Sequence, residues 1–169
     1  MNDYIYEIAS ELYHLLKANK MTVSTAESCT GGMIGSALTA VPGMSECYGY
    51  GVVTYANEAK EKMLGVKAET LESYGAVSEQ TACEMALGAV KLSGADVAVS
   101  VTGIAGPGGG TDQKPVGLVY IGFADKTGKC VAYKNLFGGD RNSVREQTVI
   151  TALKVLIENI KNLLKKEGR

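Results

Sequence analysis

The balance of charges and the overall composition exclude several functional classes before any motif is considered. The chain has 169 residues, with 17 Lys and Arg against 18 Asp and Glu, so it lacks the basic excess of a general nucleic-acid-binding protein. No apolar run approaches the length of a membrane span, and no signal peptide opens the sequence. We therefore expect one cytoplasmic domain over residues 1–169, without nucleic-acid or membrane partners.

The cysteine and histidine content restricts the chemistry further. The chain has four cysteines, none of them in a CxxC pair: Cys29, Cys47, Cys83 and Cys130. This pattern argues against a zinc site and favours reduced thiols, so no metal is expected. The single histidine, His14, falls on a first helix that the apolar spacing predicts over residues 3–18. Any Ser-His or Cys-His mechanism would have to use this residue, and nothing nearby would orient its ring.

A turn rich in small hydroxyl residues and glycine follows the first predicted strand (residues 21–24). It reads Thr25-Ala26-Glu27-Ser28-Cys29-Thr30-Gly31-Gly32 and precedes a short predicted helix over residues 33–39. The first amides of a helix lack internal partners and carry the positive end of its dipole. They can bind a phosphate or stabilise an oxyanion on a substrate. Ser28 and Cys29 are the strong nucleophile candidates in this turn.

A lysine in an unusual position follows the next strand, which is predicted over residues 48–55. Asn57 is a suitable N-cap for a short helix over residues 58–64, and this places Lys60 in the first helical turn. A cation there opposes the helix dipole, which favours loss of the proton. A solvated surface lysine is the alternative interpretation.

The middle of the chain is predicted to form two further helices and a buried strand. The first helix covers residues 67–74, and Ser78 caps a longer one over residues 79–93. The inner side of this longer helix is predicted to contain Ala82, Met85, Ala86, Ala89, Val90 and Leu92. Residues 96–102 are nearly all apolar or β-branched, as in a central buried strand.

A glycine-rich loop, residues 103–111, follows this strand. Five glycines in nine residues are costly to order, which favours a loop whose amides approach a ligand. A flexible connector is the alternative. The loop has neither the Gly-Lys-Ser/Thr ending of a P-loop nor the GxGxxG spacing of a dinucleotide site, so it does not indicate a GTPase, a kinase or an NAD-binding protein.

The C-terminal third is predicted to be a β-hairpin followed by a long helix. The hairpin joins residues 116–125 to residues 130–137, and the helix begins with a cap at Asn142 or Ser143 and runs to about residue 166. Its predicted buried side contains Val149, Ile150, Leu153, Leu156, Ile157, Ile160, Leu163 and Leu164. Arg141 and Arg145 flank its start, where they would accommodate an anion or pair with Asp140 or Glu146.

This order of elements predicts an α/β fold, a three-layer α/β/α sandwich with a mixed sheet that includes a C-terminal β-hairpin. Sites in such folds collect beyond the strand ends. The fold should therefore bring Ser28, the segment 55–60 and the loop 102–111 together.

Five motifs in this order resemble the CinA C-terminal domain family, the competence- and damage-inducible family that includes nicotinamide mononucleotide deamidases. The resemblance covers essentially the whole chain. The motifs are residues 26–32 (AESCTGG), 51–60 (GVVTYANEAK), 75–79 (GAVSE), 101–109 (VTGIAGPGG) and 114–117 (KPVG). Gly139-Asp140-Arg141 and Arg145 are similar to a last family motif, while Ala56 departs from the serine that is common there.

The resemblance implies hydrolysis of the carboxamide of nicotinamide mononucleotide to nicotinate mononucleotide and ammonia, a step of pyridine nucleotide salvage that needs no cofactor. Ser28 would attack the amide carbon, neutral Lys60 would accept its proton and return it to the leaving group, and Tyr55 would relay it. The matched motifs imply these substrate-binding residues: Glu27, Cys29, Thr30, Gly31, Asn57, Thr102, Gly103, Gly106, Gly108, Gly109, Arg141 and Arg145.

The sequence leaves the roles of individual hydrogen-bond donors open. Amides of residues 29–31 or Gly103 would form the oxyanion hole, and the loop 106–111, Arg141 or Arg145 would hold the phosphate. In one alternative, Cys29 is the nucleophile. In another, the domain is a non-catalytic, regulatory nucleotide-binding module. The resemblance and the apolar last helix also favour a homodimer.

Overall fold

A computed structural model describes residues 2–168 of the chain. The helices are α1 (Asp3–Asn19), α2 (Met33–Thr39), α3 (Asn57–Leu64), α4 (Ala68–Tyr74), α5 (Glu79–Ser93) and α6 (Arg141–Lys166), with a short 3-10 helix at Met44–Glu46. The strands are β1 (Val23–Glu27), β2 (Tyr48–Val53), β3 (Val97–Gly103), β4 (Leu118–Asp125) and β5 (Cys130–Leu136). The predicted order of helices and strands is confirmed.

The five strands form one mixed sheet in the order β2-β1-β3-β4-β5. β1 pairs in parallel with both β2 and β3, while β4 pairs antiparallel with β3 and with β5. The last two strands form the predicted hairpin. This arrangement confirms the predicted α/β fold with a mixed sheet.

Helices cover both faces of the sheet because successive residues of a strand point to opposite faces. In β3, Val97, Val99 and Val101 belong to the larger apolar cluster, which also contains buried residues of α1, α2 and α6. Ala98 belongs to a smaller cluster with residues of α3 and α5, including Met85. The sheet is thus the middle of three layers.

Several element ends and caps differ from the predicted ones. β1 begins and ends later than expected, at Val23 and Glu27. Its polar residues are buried in the structure, although in a sequence such residues favour a turn, and so the strand was predicted too early. The cap of α6 is Asp140, whose carboxylate accepts from the Ser143 amide at 2.8 Å, and not Asn142 or Ser143. Asn57 is the first residue of α3 and not its cap.

The predicted inner face of α5 is wrong at its last position. Leu92 is 43% exposed, whereas Ala82, Met85, Ala86 and Ala89 are buried as expected. α5 packs very close to the sheet at Gly122, where a Cβ atom would lie 2.4 Å from the Ala82 carbonyl oxygen. Small residues on α5 and in β4 therefore set this short distance.

Within residues 2–168, no helix combines the length and the apolar character that a membrane crossing needs.

Candidate active site

A cavity of about 300 Å³ lies beyond the carboxyl ends of β1 and β3. These two strands are parallel, with Glu27 opposite Val101, so they end at the same edge of the sheet. Most of the predicted site residues line this cavity: Ser28, Cys29, Tyr55, Asn57, Lys60, Thr102, Gly103, Gly106, Gly108, Gly109 and Arg141. The structure therefore brings together the three segments that the sequence analysis expected to meet.

Four cavity residues were not among the predicted ones: Ala76, Val77, Ile104 and Ala105. They carry no reactive group, and their only signal in the sequence was their place inside two of the motifs. The Thr102 hydroxyl donates to the Ala76 carbonyl oxygen at 2.7 Å, which fixes the segment before α5 against the end of β3. These residues shape the wall of the cavity.

Ser28 and Lys60 form the central pair. Lys60 Nζ lies 3.2 Å from Ser28 Oγ, 2.7 Å from the Thr54 carbonyl oxygen and 3.5 Å from the Tyr55 carbonyl oxygen. Lys60 is only 1% exposed, although it is a lysine. Among the described residues, no carboxylate forms a salt bridge with it. This is an unusual environment for an ammonium group, because a buried charge is normally paired.

Burial lowers the pKa of the Lys60 amine from its usual value, and the Cys29 thiol opposes this effect only in part. A neutral amine has two hydrogens and one lone pair. The two carbonyl oxygens of Thr54 and Tyr55 are positioned to accept the hydrogens. The lone pair is then available to the Ser28 hydroxyl, which is the arrangement that a general base requires.

Cys29 faces the same cavity but is a poor nucleophile. Its side chain is buried, and this burial raises the pKa of its thiol to about 11. The single histidine does not help it, since His14 is exposed on α1 and packs against the Tyr13 ring. A thiol with this pKa is almost fully protonated near neutrality.

The first amides of α2 have a partner that the sequence pattern does not predict. The Glu27 carboxylate accepts from the amides of Gly32, Ile34 and Gly35. These amides are therefore unavailable to a phosphate or an oxyanion, contrary to the expectation for this turn. The Ser28 amide donates to the Val101 carbonyl oxygen, and the Gly31 amide donates to the Ser28 carbonyl oxygen.

The two arginines of α6 have separate surroundings, and neither forms a salt bridge with a described carboxylate. Arg141 lines the cavity, and its guanidinium donates to the Gly106 carbonyl oxygen at 2.7 Å and to the Tyr55 hydroxyl at 3.0 Å. Arg145 donates to the carbonyl oxygens of Cys29 and Thr30, at 3.2 and 3.0 Å. The pairing with Asp140 or Glu146, which was the alternative to an anion at this helix start, is therefore not formed.

Four predicted substrate-binding residues are outside the cavity lining: Glu27, Thr30, Gly31 and Arg145. Glu27, Thr30 and Gly31 belong to the turn that carries Ser28, and Arg145 contacts this turn from α6. Their contact with a substrate stays a prediction. Tyr55, the predicted proton relay, lines the cavity, but its ring is 62% exposed. The atom of Tyr55 that faces Lys60 is its carbonyl oxygen.

Residues 5–160 match the family model described as the CinA C-terminal domain. The chain belongs to the CinA C-terminal domain family. A relative named nicotinamide-nucleotide amidohydrolase PncC, from Enterobacter agglomerans, is 51% identical over 159 residues, which cover 94% of this chain and 97% of that relative. The chain is also similar to solved structures. That of the competence/damage inducible protein CihA from Agrobacterium tumefaciens has a TM-score of 0.89 at 48% identity, with 92% of this chain and 94% of that one covered.

The family also contains much longer proteins. A CinA-like protein from Endomicrobium trichonymphae is 58% identical over 149 residues, which cover 88% of this chain but 35% of that relative. The chain thus spans about a third of the length of this relative and nearly the whole length of the PncC protein.

Proposed function

We propose that this chain hydrolyses the carboxamide of nicotinamide mononucleotide, giving nicotinate mononucleotide and ammonia. The observation that carries the proposal is the buried Lys60 amine, which lies 3.2 Å from Ser28 Oγ and forms no salt bridge with a carboxylate of residues 2–168. The similarity to a protein named nicotinamide-nucleotide amidohydrolase supports the choice of substrate. The cytoplasmic location and the homodimer inferred from the sequence stay predictions.

In the first half of the reaction, Ser28 Oγ attacks the carboxamide carbon while its proton passes to the neutral Lys60 Nζ. The carbon–oxygen bond forms as the carbonyl π electrons move to oxygen. Lys60 then returns the proton to the amide nitrogen, the carbon–nitrogen bond breaks, and ammonia leaves. The product is an ester between Ser28 Oγ and the carboxyl group of nicotinate mononucleotide.

In the second half, a water molecule attacks this ester, and Lys60 accepts its proton. The proton returns to Ser28 Oγ as the ester bond breaks, which releases nicotinate mononucleotide and restores the enzyme. Since the Gly31 amide is already bonded, the Cys29 and Thr30 amides are the remaining oxyanion donors within the turn. Arg141, at the cavity mouth with the glycine-rich loop, is the donor best placed for the phosphate.

Ammonia release from nicotinamide mononucleotide tests this proposal with the wild type, Ser28→Ala and Lys60→Met. We expect robust turnover by the wild type and a loss of at least about 10³-fold in kcat for each variant, as for nucleophile and base removal elsewhere. In the wild type, kcat/KM should rise with pH through the lowered pKa of Lys60, because only the neutral amine accepts the proton.

The same assay separates catalysis from the alternative of a regulatory nucleotide-binding module. A binding module would retain the nucleotide in all three proteins without releasing ammonia. Substantial turnover by Lys60→Met would contradict the Ser-Lys mechanism, and absence of turnover in the folded wild type would contradict the hydrolase itself.

A further inference from the structure

The Glu27 carboxylate is buried directly beside the nucleophile turn without reaching the cavity. Its side chain is 2% exposed. Oε2 accepts from Thr30 Oγ1 at 2.6 Å and from the amides of Gly32 and Ile34 at 3.0 Å each. Oε1 accepts from the Gly35 amide at 2.8 Å. Four donors from the turn and from α2 thus converge on the residue that immediately precedes Ser28.

We infer that Glu27 is a positioning residue for Ser28, one that fixes the turn carrying the nucleophile by filling the amino end of α2 with its carboxylate. This inference depends on the proposed function for its kinetic consequence. In this role Glu27 acts through Ser28, because its carboxylate is bonded to the turn and to α2 and does not line the cavity.

The turn needs such a fixed point because its own backbone is permissive. Gly31 and Gly32 have φ angles of 59° and 99°, in the left-handed region. Glycine adopts positive and negative φ angles about equally readily, so these two residues do not by themselves fix the path of the turn. Ser28 is anchored on one side by the bond from its amide to Val101 in the central strand β3. Glu27, as the last residue of the fully buried strand β1, supplies the anchor on the other side.

The strand geometry explains why residue 27 is the one that reaches α2. Ala26 points into the apolar cluster with α3 and α5, so Glu27 points to the opposite face, where α2 lies. Gly35 leaves room for the Tyr48 hydroxyl beside this contact, because a Cβ there would lie 2.9 Å from that oxygen.

A carboxylate is the side chain that suits this position, since both of its oxygens accept and neither donates. The isosteric change Glu27→Gln replaces one oxygen by an NH₂ group. In either orientation of the amide, this group faces at least one of the four donors. At least one buried N–H or O–H then loses its acceptor, and the turn must shift to restore a partner.

The test compares Glu27→Gln with Asp96→Asn, which makes the same change of carboxylate to amide elsewhere. Asp96 immediately precedes β3, at the end opposite Gly103, and accepts from the Thr22 amide at 2.8 Å and the Thr22 hydroxyl at 3.0 Å. It also pairs with Lys126. Unfolding temperature, kcat, KM and the pH dependence of kcat/KM are measured for both variants and the wild type.

We expect Glu27→Gln to lower kcat by about 10- to 100-fold with little change in KM, because a shift of about 1 Å in a reacting group costs about 10²-fold. The pH midpoint of kcat/KM should stay at the wild-type value, since Glu27 positions Ser28 and does not exchange protons in the reaction. Asp96→Asn should retain kcat, even where its unfolding temperature falls.

Three outcomes would overturn the inference. These are a wild-type kcat in folded Glu27→Gln, an equal loss of kcat in Asp96→Asn, or a pH midpoint that moves with Glu27→Gln. If Glu27→Gln does not fold, Thr30→Val removes only one of the four donors. It should lower kcat in the same direction but by less, and an unchanged kcat would contradict the inference.

Failure of the proposed function would be recognised separately, as a folded wild type that releases no ammonia. Crystal structures of the wild type and Glu27→Gln then decide the positioning role without activity. The distance from Ser28 Oγ to Lys60 Nζ, 3.2 Å in the wild type, should change in the variant. An unchanged turn and distance would overturn the inference.

Discussion

Burial has opposite effects on the usefulness of two neighbouring side chains, Lys60 and Cys29. It disfavours the charged form of each, and so it lowers the pKa of the amine and raises the pKa of the thiol to about 11. The neutral amine is a competent base, whereas the neutral thiol is a weak nucleophile. One environment therefore favours the Ser28 hydroxyl over the intrinsically more reactive Cys29.

The variant Cys29→Ala tests this assignment. We expect its kcat/KM for ammonia release to stay within about threefold of wild type, because the protonated thiol takes no part in the reaction. The carbonyl oxygen of residue 29, which binds Arg145, is retained in the variant.

Ser28→Ala is the matched control, and it should abolish turnover while retaining Cys29. The reverse pattern, with activity lost in Cys29→Ala and kept in Ser28→Ala, would make the thiol the nucleophile. Alkylation with iodoacetamide gives an independent reading, because a thiol of this pKa should react slowly at neutral pH.

At the scale of elements, apolar periodicity predicts most helices and strands correctly because most of them bury one apolar face. α2 was predicted at its observed bounds, Met33–Thr39, and the hairpin strands within a few residues. β1 is the exception, because Ser24, Thr25 and Glu27 are buried although they are polar. The side chains of Thr25 and Glu27 find hydrogen-bond partners only in the folded molecule, and Ser24 Oγ has none among the described residues.

The residues of the candidate site were likewise predictable only where the residue type or a motif indicates the function. Ser28, Lys60 and the glycine-rich loop were predictable because their residue types carry chemistry and their motifs resemble a family. The roles of Glu27 and Arg145 depend on which amides and carbonyl groups face them after folding. No spacing in the sequence specifies those contacts, and a role of either residue in substrate binding stays a prediction from the resemblance.

The crossing of α3 and α5 is the element contact on which Lys60 depends. A Cβ atom at Gly88 would lie 2.0 Å from the Leu64 carbonyl oxygen at the end of α3. Gly88→Ala should therefore lower the free energy of unfolding by about 1–3 kcal/mol, although alanine favours a helix by about 1 kcal/mol. Because α3 also carries Lys60, kcat should fall as well. Chemical denaturation and the ammonia assay measure the two effects.

Gly49→Ala is the control for this substitution, because among the described residues no atom beyond its two chain neighbours lies within 4 Å of the corresponding Cβ position. Its free energy of unfolding should stay within about 0.5 kcal/mol of wild type, as for most surface changes. If Gly88→Ala is as stable and as active as Gly49→Ala, the close contact does not position α3.

At the scale of the whole molecule, a buried lysine whose pKa is lowered on folding makes the stability depend on pH. In the unfolded chain Lys60 titrates near its usual pKa of 10.5, and in the folded protein its pKa is lower. Between these two values the unfolded chain binds a proton that the folded protein does not. The free energy of unfolding contributed by Lys60 therefore rises with pH across this window, and it is lost as pH falls from 10.5 towards the folded value.

Lys60→Met removes this titration. Relative to the wild type, the variant should gain most stability below the window, and the gain should shrink as pH rises towards 10.5, by at most about 1.4 kcal/mol per pH unit. The variant also loses the hydrogen bond to the Thr54 carbonyl oxygen, which lowers its stability by the same amount at every pH. The slope of the stability difference against pH therefore reports the titration of Lys60. Urea unfolding of both proteins from neutral to alkaline pH measures it, with Lys62→Met, an exposed position on α3, as the control that should run parallel to wild type. Parallel curves for Lys60→Met and wild type would mean that folding does not lower the pKa of this amine, and the proposed base would then be charged at neutral pH.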